Sequence, residues 1–566
     1  MLGFDAGNRA KIQPILGDLR PDFESGTVEE IRKELAERLH RYLRETPEKA
    51  LLIQTDPGVG KTVTMAMTLI NLPDDLKKYH RRVFWAGQRH DMYEEVAKFI
   101  PNLKQILPKI GESNNNSHSR KIPEEQFGLC ESDDNRKLLR IMRDKGWPEL
   151  ETQKVCLECH IGINNCRYFK QWKHTGSFFA PHQHLATRKI QENQINADVI
   201  VVDENPFGVF DVETIVTCND IADLSDFLTE KKFAKYGLIL PLLSTLRRTI
   251  KECEQLTEGH ELIQKWDNRF CQFNSASSEQ LDLEDQEPLK PYEKGIFHRI
   301  NQIDQSQFWL KWEGFIEMAA PEDLPKNWLP LLFKIIKQEK LLFGLEYNSR
   351  MLVKKQAGKF VLALIDSKKF TLADDTPVIF LDASANIFFY QRLIDRELIH
   401  VVRRIRMQNP IVQLIDGEYP KQSLVIQSKK NQSTSDKIIR FVKAIINRGE
   451  CTLVISTREF IEKRLRKALK TAGLRGGYEI GHYWGLRGTN DFTHCDQVVL
   501  VGTAMPNLEE LHIREQCRRL REDYVSGVTT HSYRRYGETR LQGKTRVFKD
   551  ERMNQILSQH REEEMI

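Results

Sequence analysis

The segment from Thr55 to Thr62, TDPGVGKT, carries residue types that suit phosphate chemistry. Gly58 and Gly60 let the backbone curl until its N–H groups converge on phosphate oxygens, with Pro57 and Val59 completing the loop. Lys61 would reach the β- and γ-phosphates of ATP, and the Thr62 hydroxyl would ligate Mg²⁺. A helix starting there adds the positive end of its dipole. Thr55 stands where the full pattern has its first glycine. A second element, ADVIVVDENP, sets Asp203 and Glu204 at the carboxyl end of an apolar strand, where ligands of open α/β sheets gather. Asp203 suits Mg²⁺ and Glu204 an attacking water. Alone, each is also an ordinary glycine turn or acidic turn. Together, in this order, they point to ATP hydrolysis.

Between these elements lie Cys130, Cys156, Cys159 and Cys166. Two thiolates three positions apart, in C-L-E-C, can grip one metal in a tight turn. Cys166 closes a compact loop, and Cys130 offers a fourth ligand, with His160 as a substitute. All-sulfur ligation suits tetrahedral Zn²⁺ or a [4Fe–4S] cluster, and spacing does not choose between them. The dispersed Cys218, Cys253, Cys271, Cys451, Cys495 and Cys517 read as core or incidental residues. His182 and His184, in APHQHL, read as loop histidines rather than ligands.

These residues need elements to position them. In residues 27–46, Ile31, Leu35, Leu39 and Leu43 recur every fourth position, one face of a helix, and Thr27 with Glu30 forms a capping box at its start. Short apolar runs at Ala50–Ile53, Val83–Ala86, Val199–Val202, Val378–Leu381, Thr452–Ile455 and Gln497–Val501 alternate with helical segments, the rhythm of α/β folds with parallel sheets. Phe84 and Trp85 fall on one such strand and read as core. Residues 111–180 and 207–375 interrupt the rhythm; the first is polar, the second mostly helical in pattern.

A chain of 566 residues exceeds one core, so several domains are expected. No apolar run spans a bilayer, and the N-terminal residues lack a signal peptide's apolar core, so a cytoplasmic location with no membrane partner is expected. The net charge of +5 is modest, yet residues 401–475 hold 17 Lys and Arg against 6 Asp and Glu. Arg403, Arg404, Arg406, Lys429, Lys430, Lys463, Arg464, Arg466 and Lys467 contribute to that excess, which favours a phosphate backbone. Tyr483 and Trp484 could stack on single-stranded bases or pack as a buried pair, and Arg487 is a candidate phosphate contact.

The order of these motifs resembles superfamily 2 helicases, particularly the iron–sulfur branch of the xeroderma pigmentosum group D and damage-inducible G helicases. DPGVGKT resembles motif I, VFWAGQRHDMYEEVAKF motif Ia and DENP motif II. VIFLDASAN, with Asp382, Ala383 and Ser384, resembles motif III; CTLVISTREF and GLRGTNDFTHCDQVVLVGTAMPN resemble motifs IV and V. Taken together they also resemble helicase-like proteins of phages and mobile elements.

The resemblance implies two RecA-like domains that ratchet single-stranded DNA. The first comprises residues 1–110 and 181–206, with motif III at 376–385 returning to it. The second comprises 386–566. A cysteine-rich metal-binding insertion at 111–180 and an arch-like insertion at 207–375 would clasp the strand. The resemblance also favours [4Fe–4S] over zinc. Two departures stand out. Asn205 and Pro206 replace the Ala-His of DEAH. No clear Q-x-x-G-R-x-x-R motif VI is present, although EQCRRLRED places Arg518 and Arg521 at the right separation. An arginine finger is worth roughly 10³–10⁵ in rate in P-loop enzymes. The competing expectation is therefore an ATP- and DNA-binding accessory factor with weak or no motor activity.

Overall fold

The computed structural model describes residues 25–56, 59–88, 92–110, 128–186, 197–206, 209–233, 239–254, 303, 307–340, 350–356, 358–367, 370, 376–383, 385, 387–394, 396–405, 424–425, 429–483, 492, 494–502, 528–533 and 543–548. Its strands are β1 Ser25–Gly26, β2 Ala50–Thr55, β3 Val83–Gly87, β4 Lys104–Gln105, β5 Phe178–Pro181, β6 Val199–Asp203, β7 Asp211–Val216 and β8 Met351–Gln356. They continue with β9 Lys359–Ser367, β10 Val378–Leu381, β11 Leu398–Ile405, β12 Cys451–Ser456, β13 Gly477–His482, β14 Gln497–Leu500, β15 Val528–Tyr533 and β16 Gly543–Phe548.

The central element is an eight-stranded sheet in the order β1-β11-β2-β10-β6-β3-β5-β4, and every pairing in it is parallel. Its inner strands β2, β10, β6, β3 and β5 are largely apolar on both faces because both faces are covered. On one side Leu51, Ile53, Trp85, Val201, Ile379 and Leu381 meet the helices α1 Val28–Glu45 and α2 Lys61–Ile70. On the other, Leu52, Phe84, Val202, Phe210, Phe380 and Tyr390 form a separate core. Helix α1 begins at the expected capping box. Glu30 N donates to Thr27 Oγ1 at 3.3 Å and Thr27 N to Glu30 Oε2 at 2.8 Å, and Ile31, Leu35, Leu39 and Leu43 are all buried. The fold is α/β, with a parallel central sheet, as the strand rhythm implies.

Two boundaries differ from expectation, and one span holds strands beside its helices. Strand β11 pairs with β2 along Leu398–Arg403, so the first sheet extends past residue 386, where a second domain was expected to begin. The apolar signal of β11 is broken by His400, Arg403 and Arg404, which concealed its membership. The span 207–375 is not only helical. It contains the antiparallel sheet β7-β9-β8. Strand β5 enters the first sheet at Phe178, so the cysteine-rich span closes before residue 180.

Nor are the two interrupting spans independent. Ile110, Leu139, Met142, Trp147 and Val155 share one core with Leu224, Leu243, Trp312, Trp328 and Leu332. Polar bonds fasten the joint. Trp147 Nε1 donates to Pro325 O at 2.6 Å, and Lys154 Nζ to Glu317 O and Ala319 O at 2.8 and 2.7 Å. The cysteine-bearing stretch has too few apolar residues for a core of its own and obtains one by packing on its neighbour.

A second parallel sheet, β13-β12-β14, backs onto Ile438, Val442, Ile446, Phe460, Leu465 and Leu469. Strands β15 and β16 form an antiparallel pair. Among the described residues no helix is long and apolar enough to cross a membrane.

Candidate functional site

Strands β2, β10 and β6 are neighbours at the middle of the first sheet, with Leu381 level with Ile53 and Asp203. Their carboxyl ends therefore deliver Lys61, Asp382 and Asp203 to one edge. Gly60 caps α2 with φ of +77°, a left-handed conformation that glycine adopts without strain. A side chain there would also press on the Arg32 guanidinium, which donates to Val59 O at 2.7 Å. Pro57 and Gly58 lie outside the described residues.

Thr62 Oγ1 donates to Asp203 Oδ2 at 2.7 Å across 141 positions of sequence. Lys61 Nζ donates to Thr55 O at 3.0 Å. Desolvation lowers the Lys61 pKa, while the carboxylates of Asp203, Asp382, Glu204 and Asp56 oppose that shift. Asp203 is only 2% exposed, and burial raises its carboxyl to about 6 despite the Thr62 hydroxyl and the Lys61 ammonium. A carboxylate so desolvated, next to a hydroxyl and an ammonium, is suited to a divalent cation, which would supply the missing positive charge. Glu204 follows at φ of +69°, in the left-handed region, with its N–H donating to Leu381 O at 2.7 Å. That strained turn ends the strand at Asp203.

Residues not singled out for this site support it. Asp382 is buried and accepts from Tyr390 Oη at 2.8 Å. Its signal was legible, since VIFLD repeats the apolar-strand-then-acid pattern of VIVVD. His182 is buried, with Nε2 at 2.8 Å from Asp203 O, and burial lowers its pKa to about 4, so it is a neutral strut and not a surface loop residue. Arg404 Nη1 donates to Asp56 Oδ1 at 2.9 Å and Ile405 N to Asp56 Oδ2 at 2.6 Å, fixing the start of the loop.

This brace corrects the reading of the basic stretch. Arg404 is 7% exposed, and Arg403 Nε donates to Glu34 Oε2 at 2.7 Å, so both arginines are internal ties of the first sheet. Lys463 and Arg464 pair with Glu459 and Asp436 at 2.6 and 2.9 Å. Arg406, Trp484, Arg487, Arg518 and Arg521 lie outside the described residues. Tyr483 is buried and donates to Gly502 O at 2.9 Å, the packed alternative to base stacking. Phe84 and Trp85 are core residues.

The four cysteines line one pocket, partly open to solvent, with Lys109, Asn135, Gly162 and Phe169. Cys156 ends the helical turn Thr152–Cys156, and Cys166 caps the helix Arg167–Gln171. Burial raises the Cys130 and Cys156 thiols, and the Lys109 ammonium acts against it at Cys156. Lys109 is itself buried, paired with Glu151 at 3.1 Å and lying 5.0 Å from the Tyr168 ring centre. No three of these four sulfurs lie within 4.8 Å of one another. A single tetrahedral Zn²⁺ at about 2.3 Å from each sulfur would hold them about 3.8 Å apart.

No protein-family model and no curated protein matches the chain. Among solved structures it is similar to S. tokodaii Xpd4, with a TM-score of 0.38 and 12% identity over 87% of this chain and 86% of that one. That likeness fixes neither a family nor an activity.

Proposed function

We propose that this chain is a P-loop ATPase that uses ATP hydrolysis to move along single-stranded DNA, as a helicase or single-strand translocase with two RecA-like domains. The observation that carries the ATPase reading is the Thr62–Asp203 hydrogen bond of 2.7 Å, beside Lys61, at the carboxyl ends of central strands. The motor reading rests in addition on the motif order in the sequence.

Bound Mg²⁺ would neutralise phosphate charge and orient the terminal phosphoryl group. Thr62 and Asp203 are the residues to hold it. Lys61, now donating to Thr55 O, is free to swing its ammonium onto the β- and γ-phosphates, where it balances charge that builds on the leaving oxygen. Glu204 would accept a proton from the attacking water. Asp382 would sense the phosphate end through the same edge of the sheet.

In this reading the cysteine pocket holds a [4Fe–4S] cluster with Cys130, Cys156, Cys159 and Cys166 as ligands. One feature supports a cluster over zinc: no three of the four sulfurs stand within 4.8 Å of one another, a wider setting than one ion needs. The role is structural, since the insertion packs its own core with its neighbour.

The test is ATP turnover with and without single-stranded DNA, compared between the natural chain and Lys61→Ala. Stimulation by the strand that vanishes in the variant supports the motor. Nucleotide binding without turnover supports the accessory-factor alternative, and stimulation by RNA alone would change the polymer.

A further inference from the structure

The second sheet contains a ligand set that sequence spacing did not suggest. Cys451 opens β12 and Cys495 precedes β14, and their sulfurs lie 3.2 Å apart across 44 positions. The His494 ring offers a nitrogen that, with both sulfurs, falls in a group whose ligand atoms are all within 4.8 Å of one another. Among the described residues this is the only such group of His, Cys, Asp and Glu.

The backbone holds these donors in place. Asp496 N donates to Cys451 O at 3.1 Å, and the Asp496 carboxylate accepts from Cys451 N at 2.8 Å and Glu450 N at 3.2 Å. Cys495 N closes a turn onto Phe492 O at 3.0 Å. The thiols thus meet because strand register and an aspartate clamp bring them together. His494 is more than half exposed and stands 4.0 Å from Glu479 Oε1, a carboxylate able to orient its ring.

We propose that Cys451, Cys495 and His494 bind a single zinc-class divalent cation. Two thiolates and an imidazole are the soft-to-borderline donors that select such an ion, and a water completes the tetrahedron. On binding, the two thiols release their protons to solvent while the neutral ring contributes a nitrogen lone pair. The sulfur separation suits the ion better than a bond between the thiols. Reaching about 3.8 Å around zinc needs a shift of about half an ångström, whereas a disulfide at about 2.05 Å needs a closure of more than one. Both cysteines lie at the amino ends of their strands, opposite to the edge where ligands of open α/β sheets react. The ion is therefore a clip joining β12 to the segment before β14. The inference is independent of the nucleotide and cluster readings.

The full chain, purified under reducing conditions, should carry zinc by elemental analysis, with one equivalent per chain belonging to this site. Cys495→Ser should remove that equivalent, while Cys156→Ser, in the other cysteine pocket, should leave it in place. His494→Gln changes an exposed side chain, so folding is preserved. It should weaken zinc retention against a chelator by more than the roughly 10–100-fold typical of a lost outer-shell partner. Cobalt substitution should give a thiolate charge-transfer band that is lost in Cys495→Ser. If Cys495→Ser fails to fold, the His494→Gln competition decides. Equal zinc retention in the natural chain and His494→Gln, or a Cys451–Cys495 disulfide in unreduced protein without zinc, overturns the proposal.

Discussion

The nucleotide edge and the cysteine pocket both gather residues remote in sequence, but by different means. At the nucleotide edge, parallel register places β2, β10 and β6 side by side, so Thr62 and Asp203 are already bonded. In the cysteine pocket the four thiols sit on short turns around a cavity, and no three sulfurs approach within 4.8 Å. Strand ends are held by the whole sheet and are set before any ligand arrives. Turns on a borrowed core need their ligand to complete them.

Four perturbations would break or sharpen this contrast. The largest stability loss is expected from Arg404→Ala, which takes the guanidinium partner away from the buried Asp56 carboxylate: about 3–5 kcal/mol in denaturant unfolding. If Arg404 instead served a nucleic acid, the loss would appear in the salt dependence of DNA binding with stability intact. Next, Lys61→Ala should reduce ATP turnover by about 10²–10³-fold, the scale of losing a preorganised charge donor, with circular dichroism unchanged.

Asp203→Asn tests how firmly the sheet holds a carboxyl that burial has stripped of water. Because burial raises the folded pKa to about 6, the native carboxyl favours its protonated form. Its stabilising contribution is full below about 4 and is lost as pH rises through about 6. The amide should therefore make the nucleotide-free protein more stable by about 2–3 kcal/mol above pH 6, with no gain below pH 4, while abolishing turnover. A melting temperature independent of pH in both proteins would show that Asp203 is better solvated than its burial indicates.

The smallest effect on chemistry is expected from Cys159→Ser. It should lose the bound iron and expose the 128–177 span to protease, yet leave the DNA-independent ATPase rate unchanged, because the shared core around Trp147, Trp312 and Trp328 persists. A collapse of that rate would mean that the pocket and the nucleotide edge are one cooperative unit.

The sequence by itself determined the elements whose signals are local. The capping box at Thr27, the face of Ile31, Leu35, Leu39 and Leu43, the apolar strands and the acid after VIVV were all legible, because each depends on neighbours within a few positions. Tertiary structure alone decided what those signals did not contain. Arg404 reads as a surface cation until β11 is placed against β2, and His182 as a loop residue until its ring is found beneath Asp203. Cys451 and Cys495 read as unrelated until β12 and β14 become neighbours. In each case the partner is tens to hundreds of positions away, and parallel strands are joined by long crossovers whose pairing leaves no periodic trace in the chain.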